Sequence, residues 1–146
     1  LQPYCKELGV KICLENLFEA SAEAQIEQFD YLFGRYPADF LGLCIDTGHA
    51  NLVGGNEFIK LLATRYADRF FCQHLNDNKG WGKEDGCGDA HRLPGECNVD
   101  WKETMKFVRA SAYEQPFVME VSKPEGEDCA HYLKRAYEAG VWMANL

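Results

Sequence analysis

The chain has 146 residues, 47% hydrophobic, 26% charged and 13% aromatic, a composition that excludes disorder and collagen-like structure and supports one substantial core. Lys and Arg number 15 against 23 Asp and Glu, and the formal net charge of −8 repels phosphate backbones and anionic lipid unless a local basic face exists. No apolar run approaches the roughly 20 residues of a membrane helix and no charged-then-apolar secretory pattern opens the chain, so no membrane association and a cytoplasmic location are expected.

Residues 3–8 have helical character and stop at Gly9, after which the short apolar run 9–15 ends on Glu15 and predicts a strand. Ser21 is placed to cap the next helix, with Glu23 in its first turn and Ile26, Phe29, Leu32 and Phe33 on one face; Pro37 marks the end. Residues 40–46 predict a second buried strand. Asn56 is then expected to cap a helix whose stripe is Phe58, Leu61, Leu62 and Tyr66. Residues 70–75 predict a third strand. Residues 76–98, rich in Gly, Asp and Asn, are too long for a simple connection and predict a functional loop. Asp100 is placed to cap a helix carrying Trp101, Met105, Val108 and Ala112, residues 116–121 predict a fourth strand, and a last helix spans about 126–140.

Strands alternating with helices call for a parallel sheet covered by helices, in either a doubly wound or a barrel form. Four βα units amount to about half of an eight-unit barrel of roughly 250 residues. With no repeat, low-complexity tract or linker, residues 1–146 read as one unit.

Each predicted strand ends on a potential metal ligand: Glu15, Asp46, His74 and Glu120. The C-terminal strand ends of a parallel sheet share one rim, so these groups are expected to converge there, and three carboxylates with one imidazole suit Mn²⁺, Mg²⁺ or Zn²⁺. The period of two sets Cys13, Cys44, Cys72 and Val118 on the same faces one layer below. Seven cysteines include no C-x-x-C pair, which removes support for a zinc ribbon or a redox pair. Three converging thiols could bind a soft metal, but small core filling is the reading preferred here. Just past the strand ends lie Asp46-Thr47-Gly48-His49, expected as a turning loop, then Asn76-Asp77-Asn78, then Asp89-Ala90-His91-Arg92 before a Pro94-Gly95 turn. Asp77 and Glu96 fit ordinary turn chemistry, and His131 lies on a helix facing solvent.

In order and placement, these residues resemble the xylose isomerase-like barrel superfamily, which groups sugar isomerases and epimerases with type IV apurinic endonucleases. The motifs are Glu15-Asn16, Asp46-Thr47-Gly48-His49, His74 with Asn76-Asp77, Asp89-Ala90-His91 through Pro94-Gly95-Glu96 to Asp100-Trp101, and Glu120. Cys97 stands where members usually carry glycine. The resemblance implies an α/β fold, the C-terminal half of a (β/α)8 TIM barrel comprising strands five to eight. It implies that Glu15, Asp46, His74 and Glu120 hold one divalent ion, that Glu15 and Glu120 are also the catalytic acid and base, and that His49, His91 and Arg92 bind substrate. In the endonuclease branch Asp89, with His49 and His91, would be an additional metal ligand.

The expected function is a metal-dependent sugar, sugar-phosphate or keto-sugar isomerase or epimerase, in which a cation stabilises an enediolate while a carboxylate moves the proton. A metal-bound hydride shift is also compatible. The alternatives are a zinc phosphodiesterase acting at abasic DNA, against which the net charge of −8 and the lack of a basic run weigh, and a non-catalytic remnant. The expected partner is a small sugar rather than nucleic acid. A half barrel also exposes sheet edges, so homo-oligomerisation is expected.

Overall fold

In the computed structural model, residues 1–111 and 113–146 are described. Helix α1 (Gln2–Leu8) begins with a proline in its first turn and stops at Gly9, whose φ of 65° is left-handed. Val10 still donates its N–H to the Cys5 carbonyl, so strand β1 (Ile12–Glu15) starts later than the apolar run suggested. Helix α2 (Ala22–Arg35) is capped by Ser21, whose Oγ accepts the Ala24 N–H, and buries Gln25, Phe29 and Phe33. Strand β2 (Leu41–Asp46) is buried at every position.

Helix α3 (Thr47–Arg65) departs from expectation. Asp46 caps it, its Oδ1 accepting the His49 N–H at 2.7 Å, so residues 46–49 form a helix start rather than a turning loop. Non-helical backbone at Gly54 and Gly55, the latter at φ 64°, interrupts α3. Asn56, expected as a cap there, instead accepts the Asp100 N–H at 2.7 Å and fixes the approach to a later helix. Strand β3 (Phe70–His74) completes a parallel sheet ordered β1-β2-β3.

The fourth expected strand, residues 116–121, is replaced by a single parallel bridge between Leu75 and Met119. Leu75 donates to the Val118 carbonyl at 2.8 Å and accepts from Glu120 at 3.2 Å. Pro116 lacks an N–H, and Phe117 and Val118 are exposed, so a longer ladder has neither the donors nor the burial to hold it. Helix α4 (Trp101–Ala110) is capped by Asp100 as expected; Ala112, assigned to its buried face, lies outside the described residues. Helix α5 (Cys129–Ala144), capped by Asp128, starts and ends later than expected.

The core lies on the helix side of the sheet. Leu41, Leu43, Ile45 and Phe70 from the strands meet Phe29, Phe33, Phe58, Ile59, Leu62, Trp101 and Met105. Each such side chain contributes about 1.5–3 kcal/mol on burial. This packing fixes the strand ends, and the sheet's other face carries the cysteines and the ligand-bearing rim. Among the described residues, no helix is long and apolar enough to cross a membrane.

Candidate metal centre

Parallel register sets Asp46 level with His74 and Glu15 opposite Cys44, two residues lower, so that the longer Glu15 side chain reaches up to the other two. The bridge at Met119 then carries Glu120 to the same rim. One donor atom from each of Glu15, Asp46, His74 and Glu120 lies within 4.8 Å of the others. His74 Nδ1 is 2.7 Å from Glu120 Oε2, 3.3 Å from Glu15 Oε1 and 4.0 Å from Asp46 Oδ2.

Asp46 is the most constrained of the four. It is fully buried; Oδ1 accepts the His49 N–H and Oδ2 accepts the Asn76 amide at 2.9 Å, while its main chain bonds the Asn16 amide in both directions. Burial pushes its carboxyl above the usual carboxylate range, against the His49 N–H bond that favours the charged form. Gly48 is needed for closeness rather than turning, since a Cβ there would overlap the Asn76 Oδ1 atom.

Three carboxylates around one imidazole leave an excess of negative charge in a partly dry site. Donors of this kind at this spacing fit a divalent cation, for which they supply oxygen and imidazole ligands. Asn16 and Asn76 orient Asp46 as outer partners orient ligands in metal sites.

A second set adjoins the first. His49 Nε2 lies 3.4 Å, and His91 Nε2 3.1 Å, from Asp89 Oδ1. The other ring nitrogens face carbonyls, which can only accept: His49 Nδ1 is 3.0 Å from the Asn16 oxygen and His91 Nδ1 is 2.8 Å from the Glu120 oxygen. Both nitrogens of each ring thus face oxygen acceptors, and a proton or a cation between Nε2 and Asp89 would satisfy that carboxylate. For His91 the largest influence on its pKa is burial, which lowers it. The Glu120 carbonyl and the charges of Asp89, Asp46 and Glu120 outweigh that, and the net direction is up. His91 also has φ 46°, a conformation rarely adopted by a side chain with a Cβ. Phe18 flanks His49 at a ring separation of 5.2 Å, with Trp81 beyond it at 5.9 Å.

Arg92 is not brought to this cluster. Its guanidinium pairs with Asp85 in a separate cavity of about 350 Å³ also lined by Lys79, Glu96, Cys97 and Arg135. Cys97 has no left-handed backbone, so glycine is not required there; burial, then the Asp77 carboxylate, pushes its thiol up to about 11.

Sequence reasoning undervalued Asp77 and did not identify Asn16 as a support. Asp77 is fully buried; Oδ2 accepts the N–H groups of Gly95 and Cys97 and the Trp101 indole, and Oδ1 accepts Val99. This carboxylate closes the loop that carries Asp89 and His91. Only its adjacency to His74 hinted at the role, because its partners lie 18 to 24 residues away.

Known proteins share the fold of this chain. The xylose isomerase-like TIM barrel family matches residues 1–144. An uncharacterized protein, y4fM of Sinorhizobium fredii, is 34% identical over 120 residues, which is 82% of this chain and 36% of that protein. The fold matches a D-psicose 3-epimerase structure determined in the presence of D-fructose, at TM-score 0.68 and 17% identity, over 97% of this chain and 50% of the other. It also matches IolI with a bound zinc atom, at TM-score 0.67 and 19% identity, over 97% and 51%. The chain thus spans about a third of the curated relative and about half of each solved structure.

Proposed function

The chain belongs to the xylose isomerase-like TIM barrel family, and from that membership we propose that its rim forms the metal centre of a sugar isomerase or epimerase working by proton transfer beside a carbonyl. The observation that carries this reading is the convergence of Glu15, Asp46, His74 and Glu120. Asp46 and His74 are the fixed ligands, while Glu15 and Glu120 bind at the edges and move the proton. A bound Mn²⁺, Mg²⁺ or Zn²⁺ would supply positive charge opposite the substrate's carbonyl and hydroxyl oxygens.

The two glutamates suit proton transfer because they are less enclosed than Asp46: their side chains are 30% and 50% exposed, against 0%. A carboxylate that keeps some freedom can approach a carbon-bound proton that a buried one, held at both oxygens, cannot reach. His49 and His91 are proposed to orient substrate hydroxyls, and the Phe18 ring limits water beside His49. Psicose and fructose, named with one structural relative, make ketohexoses the first substrates to test.

The test is exchange of the substrate's carbon-bound hydrogen in deuterated water, followed by NMR across a ketose panel. Exchange is expected with the unsubstituted protein and is expected to disappear in Glu120→Gln while circular dichroism stays unchanged. Undiminished exchange in that variant would remove Glu120 from the mechanism.

A second reading, zinc phosphodiesterase chemistry, is favoured by one observation: donor atoms of His49, Asp89 and His91 all lie within 4.8 Å of one another, a spacing that suits an additional ion. Salt-sensitive binding and cleavage of abasic DNA would select it. Placement of these units as strands five to eight belongs to the same proposal. So does self-association, since β1 has β2 as its one strand neighbour among the described residues.

A further inference from the structure

One layer below the oxygen-rich rim, the sheet carries a row of sulfur. Cys13 lies two residues before Glu15, Cys44 two before Asp46 and Cys72 two before His74, so each shares the face of the ligand above it. Cys44 and Cys72 are register partners on adjacent parallel strands, and neither is in a disulfide. Their sulfurs and one His74 nitrogen all lie within 4.8 Å of one another. Ligands at about 2.3 Å from one ion sit at most about 4.6 Å apart, so closing this triangle needs only side-chain adjustment. Cys44 is buried and Cys72 half-buried, so the site opens on the Cys72 side.

We propose that Cys44, Cys72 and His74 form a second, thiophilic cation site beneath the rim, sharing His74 with it. Donor type separates the two sites. Two sulfurs and an imidazole favour a soft ion such as Cd²⁺ or Cu⁺, whereas three carboxylates and the same imidazole favour Mn²⁺ or Mg²⁺. Two cations on the one His74 ring repel each other and compete for its electron density, so a soft ion below is expected to weaken a hard ion above, and the antagonism is reciprocal. This inference needs the convergence of the side chains but no sugar chemistry.

Titration of the 146-residue chain with Cd²⁺, read by the ultraviolet thiolate-to-cadmium charge-transfer band, tests it. One Cd²⁺ per chain is expected to saturate the band. The band is expected to be lost in Cys44→Ser and in Cys72→Ser, and kept in Glu120→Gln, Cys97→Ser and Cys129→Ser. Cys72→Ala serves as a second variant if serine perturbs the layer, with circular dichroism confirming the fold of each. One equivalent of Cd²⁺ is further expected to weaken Mn²⁺ binding at least tenfold in the unsubstituted chain and to leave it unchanged in Cys72→Ala. The proposal is overturned if no band forms, if it survives loss of Cys44 or Cys72, or if Cd²⁺ weakens Mn²⁺ binding equally in Cys72→Ala.

Discussion

The two halves of the rim are held in different ways. Glu15, Asp46 and His74 stand on a ladder whose register is fixed by a continuous apolar core. Asp89, His91 and Glu120 stand on segments tied by point contacts: the Asp77 carboxylate, the bond from His91 to the Glu120 carbonyl, and one bridge at Met119. The first half is rigid because many weak contacts must fail together. The second rests on a few discrete ties, so the loss of any one is expected to loosen it more than a single core contact loosens the ladder.

The largest expected effect comes from cutting the second half at its anchor. Asp77→Ala orphans the buried Val99 N–H and Trp101 indole together with the part-buried N–H groups of Gly95 and Cys97, and is expected to cost about 3–5 kcal/mol in urea denaturation. Loss of less than about 1 kcal/mol would mean that the loop is held elsewhere. On the ladder side, Asp46→Ala removes the α3 cap and the Asn76 partner and is expected to cost about 2–4 kcal/mol. Asp46→Asn retains an oxygen for the cap and is expected to recover much of that stability without restoring cation affinity.

A smaller effect sharpens the contrast. The left-handed backbone at His91 is strained by about 1–2 kcal/mol, so His91→Gly is expected to be about 1 kcal/mol more stable than His91→Ala, although both lose the bond to Glu120. Equal stabilities would remove the strain. The smallest effect lies outside the rim. The Arg65 guanidinium, then the Tyr66 hydroxyl, hold the Asp30 carboxyl below its usual range. Stability from this depressed pKa is present above the unfolded value of about 3.9 and is lost as pH falls through the folded value. The stability gap between the unsubstituted chain and Asp30→Asn is therefore expected to shrink on acidification, as followed by thermal melts across pH.

Sequence made the strand ends legible because a short apolar run with period two states both its limits and its face. Glu15, Asp46 and His74 were placed by that logic alone. The cap at Asp46 was hidden, since Asp-Thr-Gly-His also reads as a turn, and only the closeness of Asn76 to Gly48 explains the glycine. Residues 116–121 carried the apolar signal of a strand, yet exposed Phe117 and Val118 and the imino nitrogen of Pro116 limit it to one bridge. The anchoring by Asp77 is long-range, and no local pattern reveals a carboxylate whose donors arrive after an irregular loop has closed.

Binding of Mn²⁺, followed by the paramagnetic resonance of the free ion, tests the central assignment most directly. One ion per chain is predicted, with affinity reduced at least about tenfold by each of Glu15→Gln, Asp46→Asn, His74→Gln and Glu120→Gln. Unaltered affinity across these four variants would contradict it.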